Sequence, residues 1–225
     1  EALCLKEKFR GRVTVISMGP PQAVSALRQA VAMGADEAVL VSDREFAGSD
    51  TWATSYTLAA AIRKAGPFDL ILCGRQAIDG DTGQVGPGIA VQLGITALAY
   101  VSRILRLEPD PAPGVIEVER TLDEGRETVR APLPALLTVM KDINVPRLAS
   151  ISDVRRAVKA QIPTWTAADL PGIDAEKLGV SGSPTRVVQI SSPPGRAAAA
   201  EMIPADNVER AASVLVEKLL AAKIL

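Results

Sequence analysis

The sequence predicts an α/β protein: a doubly wound, mostly parallel sheet with an antiparallel extension and a carboxyl-terminal arm. Three observations predict it. Short β-branched apolar runs alternate with amphipathic helical stretches from residue 12 to about 94, the pattern of parallel strands covered on both faces. Between about 95 and 140 the residues alternate apolar and polar, as in antiparallel hairpins. Beyond 160, prolines punctuate a stretch with little periodicity of its own.

The elements follow in order. The opening EALCLKEKFRG (1–11) reads as a helix already under way that stops at Gly11, so an earlier segment supplying another strand is expected. RVTVISM (12–18) is the first strand. GPPQAVSALRQAVAMG (19–34) is a helix, with Val24, Leu27, Val31 and Ala35 at helical spacing. Its Pro20 and Pro21 suit a first turn, where a missing amide costs nothing. DEAVLVSD (36–43) is the second strand, and GSDTWATSYTLAAAIRKAG (48–66) a helix with caps available at Ser49 to Thr51 and a stop at Gly66. FDLILCG (68–74) is the third strand and QVGPGIAVQLG (84–94) the next helix. ALAYVSRILRLE and GVIEVERTLDEGRETVRAPLPALLTVM then form hairpins extending the same sheet, one of them closed at Asp123-Glu124-Gly125. KDINVPRLASISDVRRAVKA (141–160) is an extended loop entering a basic helix. Residues 162–195 read as an arm that lies on something else. The last helix (207–225) has a broad apolar face suited equally to its own domain or to a partner. The division expected is a nucleotide-binding domain over 1–160, then an arm and helix over 161–225.

Bulk properties narrow the function. The 225 residues carry 25 basic and 26 acidic side chains, a net charge of −1, so no field argues for nucleic acid or a membrane surface. No apolar stretch reaches membrane-spanning length and no signal-peptide pattern is present, which points to the cytoplasm. Cys4 and Cys73 lack metal-ligand spacing. Histidine is absent, which removes the commonest general base, the commonest zinc ligand and the Ser-His and Cys-His nucleophile pairs.

In open α/β sheets, ligands sit beyond the carboxyl ends of strands. Three loops lie there: Met18-Gly19-Pro20, Asp43 to Asp50, and Gly74 to Gly86. The third is the richest, because CGRQAIDGDTGQVGPGIA (73–90) holds five glycines and two aspartates. Asp81-Thr82-Gly83-Gln84 fits a capping box with Asp81 as N-cap and Gln84 reaching back. The free amides of that first turn and the helix dipole would make an anion site, and Gly80, Gly83 and Gly86 would let a phosphate approach. Asp79 and Asp81 would repel phosphate, so they cap the helix or hold ribose hydroxyls. The bland reading is a capped turn that binds nothing. Neither the dinucleotide fingerprint nor the Walker loop is present. Cys73 reads as core, Trp52 and Tyr56 as a packed aromatic pair, and Arg147, Arg155, Arg156 and Lys159 as a solvated basic face.

QAIDGDTGQVG resembles the nucleotide loop of electron-transfer flavoprotein beta subunits. VERTLDEGRETVRAPLPALLTV (118–139) resembles their signature segment, and VTVISMGPPQA and ALRQAVAMGAD agree with it. The resemblance covers essentially the whole chain. It implies an adenine-nucleotide-hydrolase-like fold and an electron carrier, not an enzyme, paired with an FAD-bearing alpha subunit. In this subunit it implies AMP or, in the electron-bifurcating branch where NADH is the reductant, a second FAD. FAGSDTWATSYTLAAAI (46–62) resembles that branch more closely. The resemblance places Met18, Gly19, Ala77, Asp79, Gly80, Asp81, Gly83, Gln84 and Val85 on the cofactor. The family often has Asn and Thr where this chain has Gly83 and Val85, which leaves the amides to bind. NVPRLASISDVRRA (144–157) corresponds to the loop that recognises acyl-CoA-type or other flavin dehydrogenases. Arg147 falls within it, and Ile151 at its apolar anchor. Two other classes remain open: an ATP-hydrolysing or adenylating enzyme, whose pyrophosphate loop is not visible, and a stand-alone nucleotide sensor of the universal-stress type.

Overall fold

The computed structural model describes residues 1–192 and 200–224, in two compact units, Glu1–Arg186 and Val187–Leu225. The boundary falls at 186/187 and not at the expected 160/161. The physical reason lies in residues 162–186, described below, whose apolar side chains are spent on the first unit's own core.

The first unit opens with α1 (Ala2–Phe9), ended by Arg10 in the left-handed conformation. Then come β1 (Thr14–Met18), a 3-10 turn at Pro21–Ala23, α2 (Val24–Met33) and β2 (Glu37–Val41). A 3-10 turn at Arg44–Phe46 leads into α3 (Thr51–Ala65), followed by β3 (Leu70–Gly74) and α4 (Val85–Leu93). Three longer strands follow, β4 (Thr96–Glu108), β5 (Val115–Leu122) and β6 (Gly125–Pro132), and then the short β7 (Ala135–Val139). α5 (Ile151–Lys159) and the two-residue β8 (Thr164–Trp165) close the regular elements of this unit.

The helices start where the sequence supplies caps. Asp50 accepts the amides of Trp52 and Ala53 at the head of α3, and Ser150 accepts that of Asp153 at the head of α5. α2 ends at Gly34 with φ 125°, a conformation that favours glycine.

The strands form an α/β arrangement of mixed parallel and antiparallel pairs, divided between two hydrogen-bonded sheets. One has the order β1-β2-β8, all parallel, and the other the order β3-β7-β4-β5-β6. β4, β5 and β6 are antiparallel, with Leu122 facing Gly125 across the expected turn. β7 does not continue the hairpin series. It inserts between β3 and β4, parallel to both, and its Ala135, Leu136 and Leu137 are fully buried.

The core has four clusters. Leu27, Val31 and Ala32 of α2 meet Ala38 and Leu40 of β2 and Ala157 of α5. Ile89 and Ala90 of α4 cover Leu136. Leu98, Val101, Ile116, Val118 and Leu137 line the larger sheet. Truncating a fully buried leucine such as Leu136 to alanine would cost about 2–5 kcal/mol.

The fourth cluster explains the boundary. Val41, Phe46, Ala60 and Ala61 pack on Ala167, Leu170 and Leu178, which belong to the expected arm. Gly179, at φ 55°, lies so close that a Cβ there would meet the Glu45 carbonyl oxygen at 2.3 Å. Asp43 accepts the Ala167 amide at 3.0 Å, and Asp50 accepts the amide and hydroxyl of Thr185. Residues 162–186 therefore lie on the chain's own domain.

The second unit contains α6 (Val208–Ala221), capped by Asn207 on the Arg210 amide. None of its residues is buried, and Val208, Leu215, Val216 and Leu220 are exposed. No helix of the described residues is long and apolar enough to cross a membrane.

Candidate functional site

β3 ends at Gly74, and the chain then runs through an exposed loop to α4. Its internal bonds differ from the expected capping box. Asp81, at φ 50°, accepts from the Gln76 side-chain amide and caps nothing. Gln84 turns away, its Oε1 accepting from Thr51 Oγ1 at 3.0 Å, which ties the loop to the head of α3. Asp79 accepts the adjacent Gly80 amide at 2.8 Å. Both aspartates are thus engaged inside the loop and neither caps the helix.

This leaves the head of α4 without a cap. Gln84 occupies the N-cap position with no side-chain bond to the helix amides. The run of amides from Thr82 to Gly86 finds no acceptor among the described residues. Unsatisfied amides beside the positive end of a helix dipole are what an anion requires.

The three loop glycines have three different surroundings. Gly80 is open: a Cβ there would meet nothing within 4 Å. Gly83 is at φ 63°, and its Cβ would have space, with the Arg75 carbonyl oxygen nearest at 3.6 Å. Gly86 is different, because a Cβ would lie 2.6 Å from Thr138 Cγ2. It serves close packing of α4 on β7, not the approach of a phosphate. Of the remaining expected residues, Ala77 and Val85 lie in the same loop and helix head, and Ala77 accepts the Asp81 amide. Met18 and Gly19 end β1 in the other sheet, where the Gly19 amide donates to Val41. No hydrogen bond joins them to the loop among the described residues.

The Asp43–Asp50 loop is not free for a ligand, since the chain's own 166–185 segment occupies its carboxylates. Asp43 is held below the usual carboxylate range, chiefly by the Ala167 amide. Trp52 and Tyr56 are stacked, with ring centroids 5.7 Å apart, as expected of a packed pair. Cys73 lies under α4, and burial pushes its thiol up to about 11.

Two features beside the loop are not evident from the sequence. Gly74, Arg75 and Gln76 border a hollow completed by Val139, Met140, Lys141 and Asp142 from the end of β7. The Arg75 guanidinium lies over the Tyr100 ring at 5.0 Å, and Tyr100 itself sits at φ 60° where β4 slips register against β7. The carboxyl-end rule would have found the hollow once β7 was known to run parallel to β3. No local signal marks the irregularity at Tyr100.

Arg147 and Ile151 lie apart from this loop. Arg147 is engaged within the chain, its guanidinium on Glu7 at 2.5 and 3.1 Å. Ile151 is 78% exposed at the start of α5, with Val145 and Leu148 exposed just before it.

Comparison with known proteins decides the family. The electron transfer flavoprotein domain model matches residues 1–170. The chain belongs to the electron transfer flavoprotein family. Within it, the chain is 48% identical over 220 residues to the electron transfer flavoprotein subunit beta of Thermoanaerobacterium thermosaccharolyticum, covering 97% of this chain and 81% of that one. It is 44% identical over 222 residues to protein FixA of Bradyrhizobium diazoefficiens, covering 97% and 76%. It is 45% identical over 219 residues to the caffeyl-CoA reductase-Etf complex subunit CarD of Acetobacterium woodii, covering 97% and 81%. This beta-subunit membership makes electron transfer the chain's role and sets aside the universal-stress alternative. Membership is consistent with a carrier and not a stand-alone enzyme.

Proposed function

We propose that this flavoprotein subunit holds FAD, in preference to AMP, on the loop from Ala77 to Val85, with Met18 and Gly19 at the carboxyl end of β1 contributing from the other sheet. The observation that carries the reading is the run of unsatisfied amides from Thr82 to Gly86 at the head of α4. They would grip the pyrophosphate, and Gly83 at φ 63° turns the backbone toward it. Asp79 and Asp81, already hydrogen-bonded within the loop, oppose a phosphate less than free carboxylates would. The flavin, when bound, supplies the electron chemistry, while the chain supplies position and electrostatics. Preference for FAD is supported by the resemblance of residues 46–62 to the two-flavin branch, whose helix α3 meets the loop through Thr51 and Gln84.

The partner is an FAD-bearing alpha subunit, and the exposed apolar face of α6 is a surface for it. The segment 144–158, with Val145, Leu148, Ile151, Val154 and Val158 exposed, docks a flavin dehydrogenase. Similarity to a subunit of a caffeyl-CoA reductase complex supports a partner that handles CoA esters.

The test is to purify the chain with its alpha subunit, release the cofactors by denaturation and count them. Two FAD per heterodimer is the expected result. One FAD with one AMP would place AMP in the loop, and one FAD with no second nucleotide would overturn the site.

A further inference from the structure

The stretch from Asn144 to Ser150 has no regular secondary structure, so neither helix nor ladder bonds fix its course. Side chains from elsewhere hold it instead. On its amino-terminal side, Asn144 Nδ2 donates to Glu1 at 2.7 Å, and Arg147 makes its two-point ion pair with Glu7 of α1. On the far side, Arg28 of α2 gives one guanidinium nitrogen to the carbonyls of Ala157, Val158 and Ala160, closing the end of α5. Ala157 is buried against α2, so the helix is seated, whereas Val145 and Leu148 are more than nine-tenths exposed. Arg147 lies between those two residues and points its charge back into the chain. A two-point guanidinium–carboxylate pair fixes orientation as well as distance, which a single lysine contact would not.

Resting on the reading of 144–158 as the docking segment, we propose that Glu7 is a positioning residue for partner docking. Through Arg147 it holds the 144–150 backbone in the course that presents Val145, Leu148 and Ile151 side by side to a CoA-ester-handling flavin dehydrogenase. Arg147 then acts through its own chain and not as the partner's direct ion-pair ligand. The side-chain hydrogen bonds of Glu7 among the described residues go to Arg147 and none to the loop at 77–85, so its effect is on the geometry of docking. Arg147 holds the Glu7 carboxyl below its ordinary range, so the pair stays ionised at neutral pH.

The experiment uses the cofactor-loaded heterodimer and a flavin-dependent acyl-CoA dehydrogenase as electron donor. Four variants are compared: Glu7→Gln, Glu7→Arg, the exchange Glu7→Arg with Arg147→Glu, and Ile151→Arg. Amide hydrogen exchange of residues 144–150 reads the clamp, and the KM for the carrier reads docking. Glu7→Gln is expected to speed exchange there and raise KM by about two- to fivefold, the scale of a partly exposed ion pair, with kcat and cofactor content unchanged. Glu7→Arg should do more, and the exchanged pair should recover both readouts. A larger KM for Ile151→Arg together with wild-type exchange and KM for Glu7→Gln would overturn the clamp alone. Wild-type KM for Ile151→Arg would overturn the docking reading beneath it.

Discussion

Three glycine-to-alanine substitutions, two in the loop and one in the first turn of α4, should have three separate consequences. Gly83 sits at φ 63° with open space where a Cβ would go, so the penalty for alanine is conformational and not steric. A left-handed alanine costs roughly 1–2 kcal/mol. The loop is largely exposed and bonded mainly to itself, so it relieves that strain by leaving the observed conformation, and the domain stays folded. Binding must then restore the conformation, and nucleotide affinity falls by about 5- to 30-fold, at about 1.4 kcal/mol per tenfold. Gly80→Ala should change nothing, since its φ lies outside the left-handed region and its surroundings are empty. Gly86→Ala should act on stability instead. Its Cβ would press on Thr138 Cγ2 at 2.6 Å, and Thr138 is buried with its hydroxyl accepting the Tyr100 amide. Overpacking of this kind costs about 1–3 kcal/mol, offset by up to about 1 kcal/mol of helix propensity, and each remaining kcal/mol lowers Tm by about 2–4 °C. The assays are calorimetric titration of FAD and of AMP into the apo heterodimer, and thermal melts of each variant. Unchanged affinity in Gly83→Ala, or an equal loss in Gly80→Ala, would refute the reasoning that one strained residue sets the binding form of the loop.

Two further outcomes follow from the titrating groups. Asp43 is depressed by the Ala167 amide, so its contribution is present above the unfolded value of about 3.9 and is lost as pH falls through the lower folded value. Asp43→Asn should therefore flatten the acid dependence of urea midpoints below pH ~4, by no more than about 1 kcal/mol at this half-buried, solvent-screened site, and an unchanged slope would refute it. Cys73, raised to about 11 by burial, should resist iodoacetamide at pH 8 in the folded chain, whereas exposed Cys4 is modified. Mass spectrometry finding Cys73 alkylated before unfolding would contradict its burial beneath α4.

What was legible in the sequence was what neighbouring residues decide. The order of strands and helices through α4, the Asp123–Gly125 turn and the stacked Trp52–Tyr56 pair are all local, and all stand in the structure. The place of β7 was not, because pairing partners are set by the whole sheet. One clue was present: ALLTV lacks alternation, which suits a strand buried on both faces better than a hairpin edge. The capping box failed for a related reason. Asp81-Thr82-Gly83-Gln84 satisfies the local pattern, but Gln84 has a better partner in Thr51, 33 residues away, and Asp81 has one in Gln76. Residues 162–186 showed no period because they are anchored by single side chains, Ala167, Leu170 and Leu178, set in or at the ends of the short 3-10 turns Ala167–Asp169 and Ala175–Lys177.

The two candidate surfaces are mounted in opposite ways, and this bears on how each would work. The loop at 76–84 is bonded to itself, with Thr51 its side-chain tie to another helix. Its unsatisfied amides gain their acceptors only from outside, so part of any nucleotide's binding energy goes into fixing the loop. The segment at 144–159 is instead fastened to α1 and α2 by Glu1, Glu7 and Arg28 before any partner arrives. On the proposed reading, a pre-set apolar surface would lose little freedom on docking, which would suit a carrier that meets and leaves a dehydrogenase at every turnover. A cofactor that stays through many turnovers can instead afford a site completed by its own binding. If both proposals hold, tight retention and brief docking would correspond to a loop with unfilled amides and a segment with filled anchors.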